Sequence, residues 1–379
     1  MDCNDFYSVK DNNNTTKTLI VKNYFPAWAK IMKSVVQRYP FKNSGKLAYV
    51  DFFSGPGAFE DGEKSTPILI MEHILNDRHY CQNMLTFFND CDENNILQLK
   101  ENLKKIDGYD LLENKPQFFC DKLSTDSHLH QFANLKIPTL YFIDPFGYKG
   151  LSQDLFSTCL GNFGCDAILF FNYNRIQSGL LNPKVEIHMR KLFSNKIYEE
   201  LKKNLKKNTI NKEEIIIEAF SRSLKENNLL SFPFRFEFEN RMGTSHYIIF
   251  ITHSHLALNV MKEIMHSLSS TKTNGIANFS YVSSSRPQQL NFIDISKTEE
   301  LRNTLKQTLL KQFSGYTIKV KNIIDNLVET IYTSKNIKVA LIELELEGLI
   351  TCPKHRANTM ADHLYITFPQ NMDQNQTTG

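Results

Sequence analysis

Two short stretches of this 379-residue sequence carry residue types and spacings suited to chemistry. The first follows an apolar run and contains Asp51, Phe53, Gly55 and Gly57. The run, residues 47–50, has the composition of a strand buried on both faces. Glycines reach backbone angles that are closed to other residues and let a ligand approach the main chain. Because a helical pattern resumes near Pro67, the order of strand, glycine turn and helix predicts a nucleotide cradle at the carboxyl edge of a parallel sheet.

The glycine turn is not a triphosphate-binding loop, since it contains no Gly-Lys-Ser/Thr, and it lacks the full Gly-x-Gly-x-x-Gly of dinucleotide enzymes. Taken alone, the stretch is equally compatible with a structural β-turn. The pattern Asp-x-Phe-x-Gly-x-Gly resembles motif I of class I S-adenosylmethionine (SAM)-dependent methyltransferases. That resemblance implies SAM as the cofactor.

Further acidic residues stand at predicted strand ends. Asp90 follows the apolar run 84–88, and an acidic side chain at this place can accept hydrogen bonds from both ribose hydroxyls of a nucleotide. Asp92 is an alternative, either as the ribose ligand or as a helix N-cap. A third strand over residues 117–121 places Asp121 where it would meet an adenine amino group, although Asp residues at strand ends are common on surfaces.

The second stretch is Asp144-Pro145-Phe146-Gly147, which follows a predicted strand over residues 139–143. It resembles the Asp/Asn-Pro-Pro-Tyr motif IV of amino-group methyltransferases and departs from it at the third and fourth positions. The same four residues are similar to the motif of tRNA guanine-N2 dimethyltransferases. A competing interpretation makes Asp144 the N-cap of a helix over residues 151–160.

The residue types of this stretch suit methyl transfer to an exocyclic amine, which is a weak nucleophile because its lone pair is delocalised. Acceptors placed beside the amine, with water excluded, favour the positive charge that develops on it. A proline fixes the turn, and an aromatic ring stacks on a flat base for ~1–3 kcal/mol. The predicted catalytic residues are therefore Asp144, Pro145 and Phe146.

The elements around these stretches predict an α/β fold, a Rossmann-like class I methyltransferase sheet that is mostly parallel. An amphipathic helix over residues 18–39 precedes the first strand, and a fifth strand covers 166–171. Residues 176–230 form a helical, lysine-rich insertion, read either as a phosphate-binding face or as a solvated face with interspersed Glu. Strands over 234–240 and 246–252 would form an antiparallel closing hairpin.

The C-terminal part predicts a winged-helix domain over residues 299–368. Three helices (299–313, 320–332 and 337–347) precede two strands (349–352 and 363–368) that flank the basic turn Lys354-His355-Arg356. The third helix carries Glu343, Glu345 and Glu347, which are unfavourable beside phosphates and favour contact with protein. Lys335, Lys338 and the basic turn leave DNA or RNA as the alternative. The remaining boundaries are a tail at 1–16, a methyltransferase-like domain at 17–268, a linker at 269–298 and a tail at 369–379.

Composition narrows the class of protein. The formal net charge is +3 and 41% of residues are hydrophobic, so any nucleic-acid-binding surface must be local. The seven cysteines are scattered without a Cys-x-x-Cys pair, which predicts no metal site and fits a reducing cytoplasm. No apolar run approaches the ~20 residues of a membrane span.

The order of these features resembles the three-Cys-motif partner (TcmP) family across residues 17–368. Gly-Pro-Gly at 55–57 and Asp-Pro-Phe-Gly at 144–147 are the most specific matches. The resemblance implies a methyltransferase-like protein with a three-Cys-motif protein as partner. It also implies that Asp51, Gly55 and Gly57 contact the methionine part of SAM. The predicted cofactor-binding residues are Asp51, Phe53, Gly55, Gly57, Asp90 and Asp121.

Two functions from different classes follow. The first is a SAM-dependent methyltransferase that acts on an amino group, in DNA or RNA. The second is a non-catalytic adaptor that binds a partner protein, and nucleic acid, through the winged helix. A nuclease is disfavoured, because the sequence shows no compact cluster of acidic residues with a lysine.

Overall fold

The computed structural model describes residues 12–39, 45–58, 64–123, 132, 135–207, 211–238, 242–273, 276–282, 292–353 and 355–370. The chain divides into two compact units. The described residues of Met1–Leu268 and Tyr281–Ser283 form the first unit, and those of Ser269–Ser280 and Ser284–Gly379 form the second. Each unit has its own hydrophobic core.

Within the described residues the strands are β1 (Leu47–Asp51), β2 (Met84–Asn89), β3 (Gln117–Phe119), β4 (Thr139–Ile143), β5 (Asp166–Phe171), β6 (Leu230–Glu237), β7 (Thr244–Thr252), β8 (Lys272–Thr273), β9 (Ile276–Ala277), β10 (Ser280–Tyr281), β11 (Thr317–Lys319) and β12 (Tyr365–Thr367). The helices are α1 (Asn12–Arg38), α2 (Thr66–Leu75), α3 (Arg78–Asn83), α4 (Glu93–Lys104), α5 (Gln153–Leu160), α6 (Tyr173–Gly179), α7 (Glu186–Phe193), α8 (Asn195–Lys207), α9 (Lys212–Lys225), α10 (His255–Leu268), α11 (Phe292–Gln312), α12 (Val320–Asn326) and α13 (Ser334–Leu346).

One sheet organises the first unit, with strand order β10-β6-β7-β5-β4-β1-β2-β3. Strands β3, β2, β1, β4 and β5 run parallel, and β7 pairs antiparallel with both β5 and β6. This is the predicted Rossmann-like sheet of the class I methyltransferase type, mostly parallel and closed by an antiparallel hairpin. The carboxyl ends of β1, β2, β4 and β5 therefore meet at one edge.

The parallel strands form because their residues are apolar without alternation. Every residue of β1, β4 and β5 is buried, as expected when helices cover both faces of a sheet. The predicted helix before β1 is present. Its apolar face includes Tyr24 and Trp28, whose indole nitrogen donates a hydrogen bond to the Gly164 carbonyl at 3.0 Å.

The boundaries differ from the predicted ones in several places. Helix α1 begins at Asn12, inside the predicted tail 1–16. Residues 1–11 and 371–379 lie outside the described residues. The insertion is helical as predicted, but β6 begins at Leu230, earlier than residue 234. Pro233 lies within the strand, and burial alternates from Phe232 to Glu237.

The lysine-rich insertion is partly neutralised by its own acidic residues. Arg190 contacts Glu186 and Glu199, Lys202 contacts Glu186 at 3.1 Å, and Arg222 contacts Glu200 at 2.6 Å. These pairs favour the interpretation of a solvated helix face over a phosphate-binding face.

The second unit contains α11, α12 and α13 with a two-stranded sheet of β11 and β12. Its topology corrects the sequence prediction. Strand β12 pairs with Thr317–Lys319, a segment that was not predicted as a strand. The predicted strand 349–352 is reduced to one bridge between Thr351 and Thr367. Helix α12 ends at Asn326, short of residue 332.

The predicted linker 269–298 also needs correction. Strands β8, β9 and β10 lie within it, and α11 begins at Phe292. These strands could not be recognised in the Ser/Thr/Asn-rich sequence, because each is only two residues long. Residues 274–275 and 283–291 are outside the described part of the chain. No described helix combines the length and the apolar composition needed to span a membrane.

Candidate active site

A cavity of about 110 Å³ lies at the carboxyl edge of the sheet, where β1, β2, β4 and β5 end. Ligands of open α/β sheets bind at this edge. The cavity is lined by Thr18, Asp51, Phe53, Ser54, Ser65, Thr66, Pro67, Asp90, Cys91, Phe142, Asp144, Pro145, Phe146, Phe170, Asn172 and Arg175. The structure thus brings together six of the predicted site residues: Asp51, Phe53, Asp90, Asp144, Pro145 and Phe146.

The predicted glycines shape the cavity without being among the described residues that line it. Gly55 has φ +61° and Gly57 has φ +88°, a region that other residues rarely adopt. A Cβ on Gly57 would lie 2.8 Å from Leu99 Cδ1. The turn is therefore tight because its backbone packs directly against α4.

Asp51 lies at the end of β1 and is almost fully buried. Its carboxylate accepts a hydrogen bond from the Phe53 amide at 3.1 Å and one from the Tyr49 hydroxyl at 3.4 Å. Burial, together with the nearby carboxylates of Asp144 and Asp90, raises the pKa of Asp51 to about 8 despite these two donors. Asp51 therefore holds a proton at neutral pH that a cationic ligand would displace.

Asp90 fixes the glycine turn from the neighbouring strand. Its Oδ2 accepts from the Gly55 amide at 3.0 Å, and its Oδ1 accepts from Asp92 N and Asn95 Nδ2 at 2.9 and 3.2 Å. A carboxylate has about four acceptor positions, so one remains for a ligand. Asp92 is the N-cap of α4, accepting from Asn94 N at 2.9 Å, which supports the capping interpretation of that residue.

Asn89 joins the ends of three strands, a role that sequence reasoning missed. Its amide donates to the carbonyls of Phe52 and Asp121, each at 3.0 Å, and its Oδ1 accepts from the Asp121 amide. Asn102 on α4 donates to the Pro56 carbonyl at 3.0 Å. These amides pre-organise the turn. An asparagine at a buried strand end, beside a predicted ligand, was the only available signal.

Asp121 does not line the cavity that the described residues form. Its backbone is held by Asn89, and its carboxylate accepts from the Lys122 amide at 2.8 Å. Strand β3 ends at Phe119, two residues before the predicted end. The role of Asp121 at adenine stays a prediction, and residues 124–131, which follow it, are outside the described part of the chain.

The Asp144-Pro145-Phe146 segment follows β4 and borders the cavity. Pro145 is buried, Asp144 is half-buried and the Phe146 side chain is 41% exposed. The capping interpretation of Asp144 is wrong, because the N-cap of α5 is Ser152, whose hydroxyl accepts from Leu155 N at 3.1 Å. The acid and the aromatic ring are thus placed at the cavity, beside Asp51.

Arg175, Asn172 and Phe170 were not predicted as site residues. They come from the end of β5 and the start of α6, and the common edge of the parallel strands was the signal that could have identified them. Arg175 is the only Lys or Arg among the described residues that line the cavity, against the three carboxylates of Asp51, Asp90 and Asp144. The cavity is therefore acidic, and its composition suits a cationic ligand.

A larger cavity, of about 630 Å³, lies at the opposite edge of the sheet between α1 and α10. Its most buried charged group is Asp166, which accepts hydrogen bonds from Tyr24 Oη at 2.7 Å and Thr252 Oγ1 at 2.5 Å. Burial raises the pKa of Asp166 to about 6. Size favours this cavity, but both oxygens of Asp166 are already bonded and none of the predicted site residues lies there. The smaller cavity is the better candidate.

No protein-family model matches the sequence, and no curated protein is significantly similar to it. The predicted membership of the TcmP family is therefore not confirmed.

Solved structures that match this chain include three methyltransferases. Magnesium protoporphyrin IX methyltransferase from Synechocystis, with bound SAM, is 12% identical, with 61% of this chain and 80% of that chain covered and a TM-score of 0.28. Trm1 from Pyrococcus horikoshii, in complex with SAM, is 10% identical, with 97% and 94% covered and a TM-score of 0.30. The methyltransferase domain of bacterial CtHen1 is 10% identical, with 62% and 98% covered and a TM-score of 0.30. Because these scores are low, the assignment of the fold rests on the strand order and directions.

Proposed function

We propose that the chain is a SAM-dependent methyltransferase that acts on an amino group in nucleic acid. The observation that carries this proposal is the convergence of Asp51, Asp90 and Asp144-Pro145-Phe146 on one cavity at the carboxyl edge of the sheet. A nucleotide-type ligand and a planar amine would meet at this place. The fold alone would not distinguish this activity from others.

The residues of the cavity fit the chemistry of SAM. When bound, SAM would supply an electrophilic methyl group on a positively charged sulfur. Asp51 and the glycine turn would hold its methionine part, and the remaining acceptor position of Asp90 would take one ribose hydroxyl. Three acidic side chains in one cavity favour a cation, because its charge attracts their ionised forms most strongly where water is excluded.

The volume of the cavity sets a further condition. At about 110 Å³ it is smaller than the ~300–1,000 Å³ of typical ligand sites. We therefore expect side chains at its mouth to move when SAM binds. Phe146 is exposed and Phe53 is only half-buried, so these rings can turn at the smallest cost.

Asp144 and Phe146 would position the acceptor. The Asp144 carboxylate, together with a main-chain carbonyl, would accept hydrogen bonds from the amine and direct its lone pair toward the methyl group. The exposed ring of Phe146 would stack on the base. Arg175, exposed on the same cavity, would contact a phosphate of the acceptor strand.

The test combines calorimetry with transfer of a radiolabelled methyl group from SAM to RNA, DNA and protein. The wild-type chain should bind SAM and label one class of acceptor. Asp144→Ala should still bind SAM and lose at least about 100-fold in transfer, because the amine is no longer oriented. Asp154→Ala, an exposed acid on α5, is the control and should keep both. Transfer that survives in Asp144→Ala would refute the assigned role.

A non-catalytic adaptor is the second candidate, and the small cavity and an exposed apolar group in the second unit favour it. Leu346, Leu349 and Tyr365 are exposed there. In this interpretation the second unit is a winged helix that contacts a partner such as a three-Cys-motif protein. Absence of SAM binding, with a stable complex of the two proteins, would support the adaptor over the enzyme.

A further inference from the structure

Three potential metal ligands of different chemical types meet in the second unit. They are Glu345 in the last turn of α13 and Cys352 and His355 in the segment that follows the helix. Their ligand atoms all lie within 4.8 Å of one another, and all three residues are partly buried. No metal site was predicted from the sequence, because the scattered cysteines include no Cys-x-x-Cys pair.

The imidazole of His355 is oriented as a metal ligand requires. Its Nδ1 lies 2.9 Å from the Pro353 carbonyl, and only a protonated nitrogen can donate to that oxygen. In the neutral ring this leaves the lone pair on Nε2. Metal-bound histidines commonly fix their tautomer through such a second hydrogen bond. Nε2 is shielded from solvent and forms no hydrogen bond with the described residues.

The separation of the other atoms agrees with tetrahedral coordination. His355 Nε2 and Glu345 Oε2 are 3.3 Å apart. Two bonds of ~2.0 Å that meet at the tetrahedral angle place their ligand atoms about 3.3 Å apart. The Cys352 sulfur lies within 4.8 Å of a ring nitrogen of His355 and of a carboxylate oxygen of Glu345. An ion pair between Glu345 and protonated His355 would explain the first distance, but it assigns no role to the sulfur.

We propose that Glu345, Cys352 and His355 bind a divalent transition metal of the zinc type. Thiolate, imidazole and carboxylate are the ligands that zinc takes in proteins. Among the described residues these three side chains supply three positions, and solvent would supply the fourth. Binding converts the Cys352 thiol to a thiolate and releases its proton to solvent, so affinity should rise about tenfold per pH unit while the thiol remains protonated.

The metal would join the end of α13 to the segment that leads toward β12. Glu345 lies in the last turn of α13, and Cys352 in the following segment packs against the hydrophobic core of the second unit. Among the described residues of this segment, Thr351 pairs with the sheet through its bridge with Thr367. A bound ion would therefore give the segment a second point of attachment. This site lies wholly in the second unit and does not depend on methyl transfer.

The test is a titration of the full-length chain with cobalt(II), followed by its displacement with zinc. Wild-type protein should bind one equivalent and develop the thiolate-to-cobalt charge-transfer band and the visible bands of a tetrahedral ion. Cys352→Ser should lose the charge-transfer band. His355→Gln and Glu345→Gln should each weaken cobalt binding by more than the ~10–100-fold that is lost when a residue hydrogen-bonded to a metal ligand is replaced.

Matched controls exist outside the cluster. His363→Gln and Glu347→Gln change exposed residues of the second unit, and Cys120→Ser removes an exposed thiol of the first unit. These variants should bind cobalt as the wild type does, and circular dichroism should show all variants folded. A charge-transfer band that persists in Cys352→Ser, or the absence of stoichiometric binding, would overturn the proposal.

Discussion

Asp51 shows how much of the site a single residue type can indicate. Its position after a buried strand was evident from the sequence, but its raised pKa was not, because that shift depends on burial and on two carboxylates from other strands. Asp144 was likewise recognised from its motif. Asn89, Asn102 and Ser152 escaped notice, because a buried amide or a capping hydroxyl has no distinctive spacing.

We expect the affinity for SAM to increase as the pH rises past the Asp51 pKa of about 8. Asp51 is protonated below this pKa and ionised above it, and the cationic cofactor favours the carboxylate, so binding at lower pH must first remove a proton. Calorimetry between pH 6.5 and 9 in buffers of different ionisation enthalpy should detect this proton release.

The matched variant for this prediction is Asp51→Asn, which keeps the size of the side chain and cannot ionise. It should bind SAM more weakly and with a flat pH profile over the same range. A wild-type profile without proton release would show that Asp51 does not face the cationic part of the cofactor.

Asp90→Asn should weaken SAM binding about 10–100-fold, because a charge-assisted hydrogen bond contributes ~1.5–3 kcal/mol. Asp92→Asn is the matched control, since asparagine also caps helices well and Asp92 caps α4. Equilibrium binding of both variants, with thermal unfolding to check their folds, distinguishes the two acids. Equal losses, or a loss only in Asp92→Asn, would reverse the assignment.

At the scale of elements, the buried parallel strands were the most predictable part of the fold. Strands β1, β4 and β5 are continuous apolar runs, and such runs have few alternative structures. Strand β11 was missed because three residues, Thr317–Lys319, carry too little pattern to recognise. Its pairing with β12 is decided by tertiary contacts, which the sequence does not display.

Gly57→Ala should destabilise the first unit by ~1–3 kcal/mol and abolish detectable SAM binding. Its φ of +88° strains any other residue, and the new Cβ would lie 2.8 Å from Leu99 Cδ1. Gly108→Ala is the control, with φ +84° but only an ordinary contact of 3.4 Å with Leu111. Chemical denaturation should show a larger loss in the free energy of unfolding for Gly57→Ala than for Gly108→Ala. Equal losses would attribute the effect to backbone strain alone.

At the scale of the whole molecule, the second unit pairs charged side chains of neighbouring helices. On α13, Glu343 contacts Arg302, and Lys306 contacts Glu343 at 3.1 Å and Glu347 at 2.5 Å. Two of the three acidic residues that argued against phosphate contact, Glu343 and Glu347, are thus engaged with α11. A net charge of +3 could not reveal this pairing, because it requires knowing which helices are neighbours.

The two units should respond to different ligands. Each has its own core, and a ligand that binds only the folded state stabilises it by ~2.7 kcal/mol at 100 times its dissociation constant. In hydrogen exchange, SAM should therefore protect peptides of the glycine turn and the end of β2, whereas zinc should protect those of α13 and residues 347–353.

Asp51→Asn should lose only the protection by SAM, and Cys352→Ser only the protection by zinc. Protection of the second unit by SAM, or of the first by zinc, would contradict separate sites, because each ligand lowers opening only where its own contacts are formed.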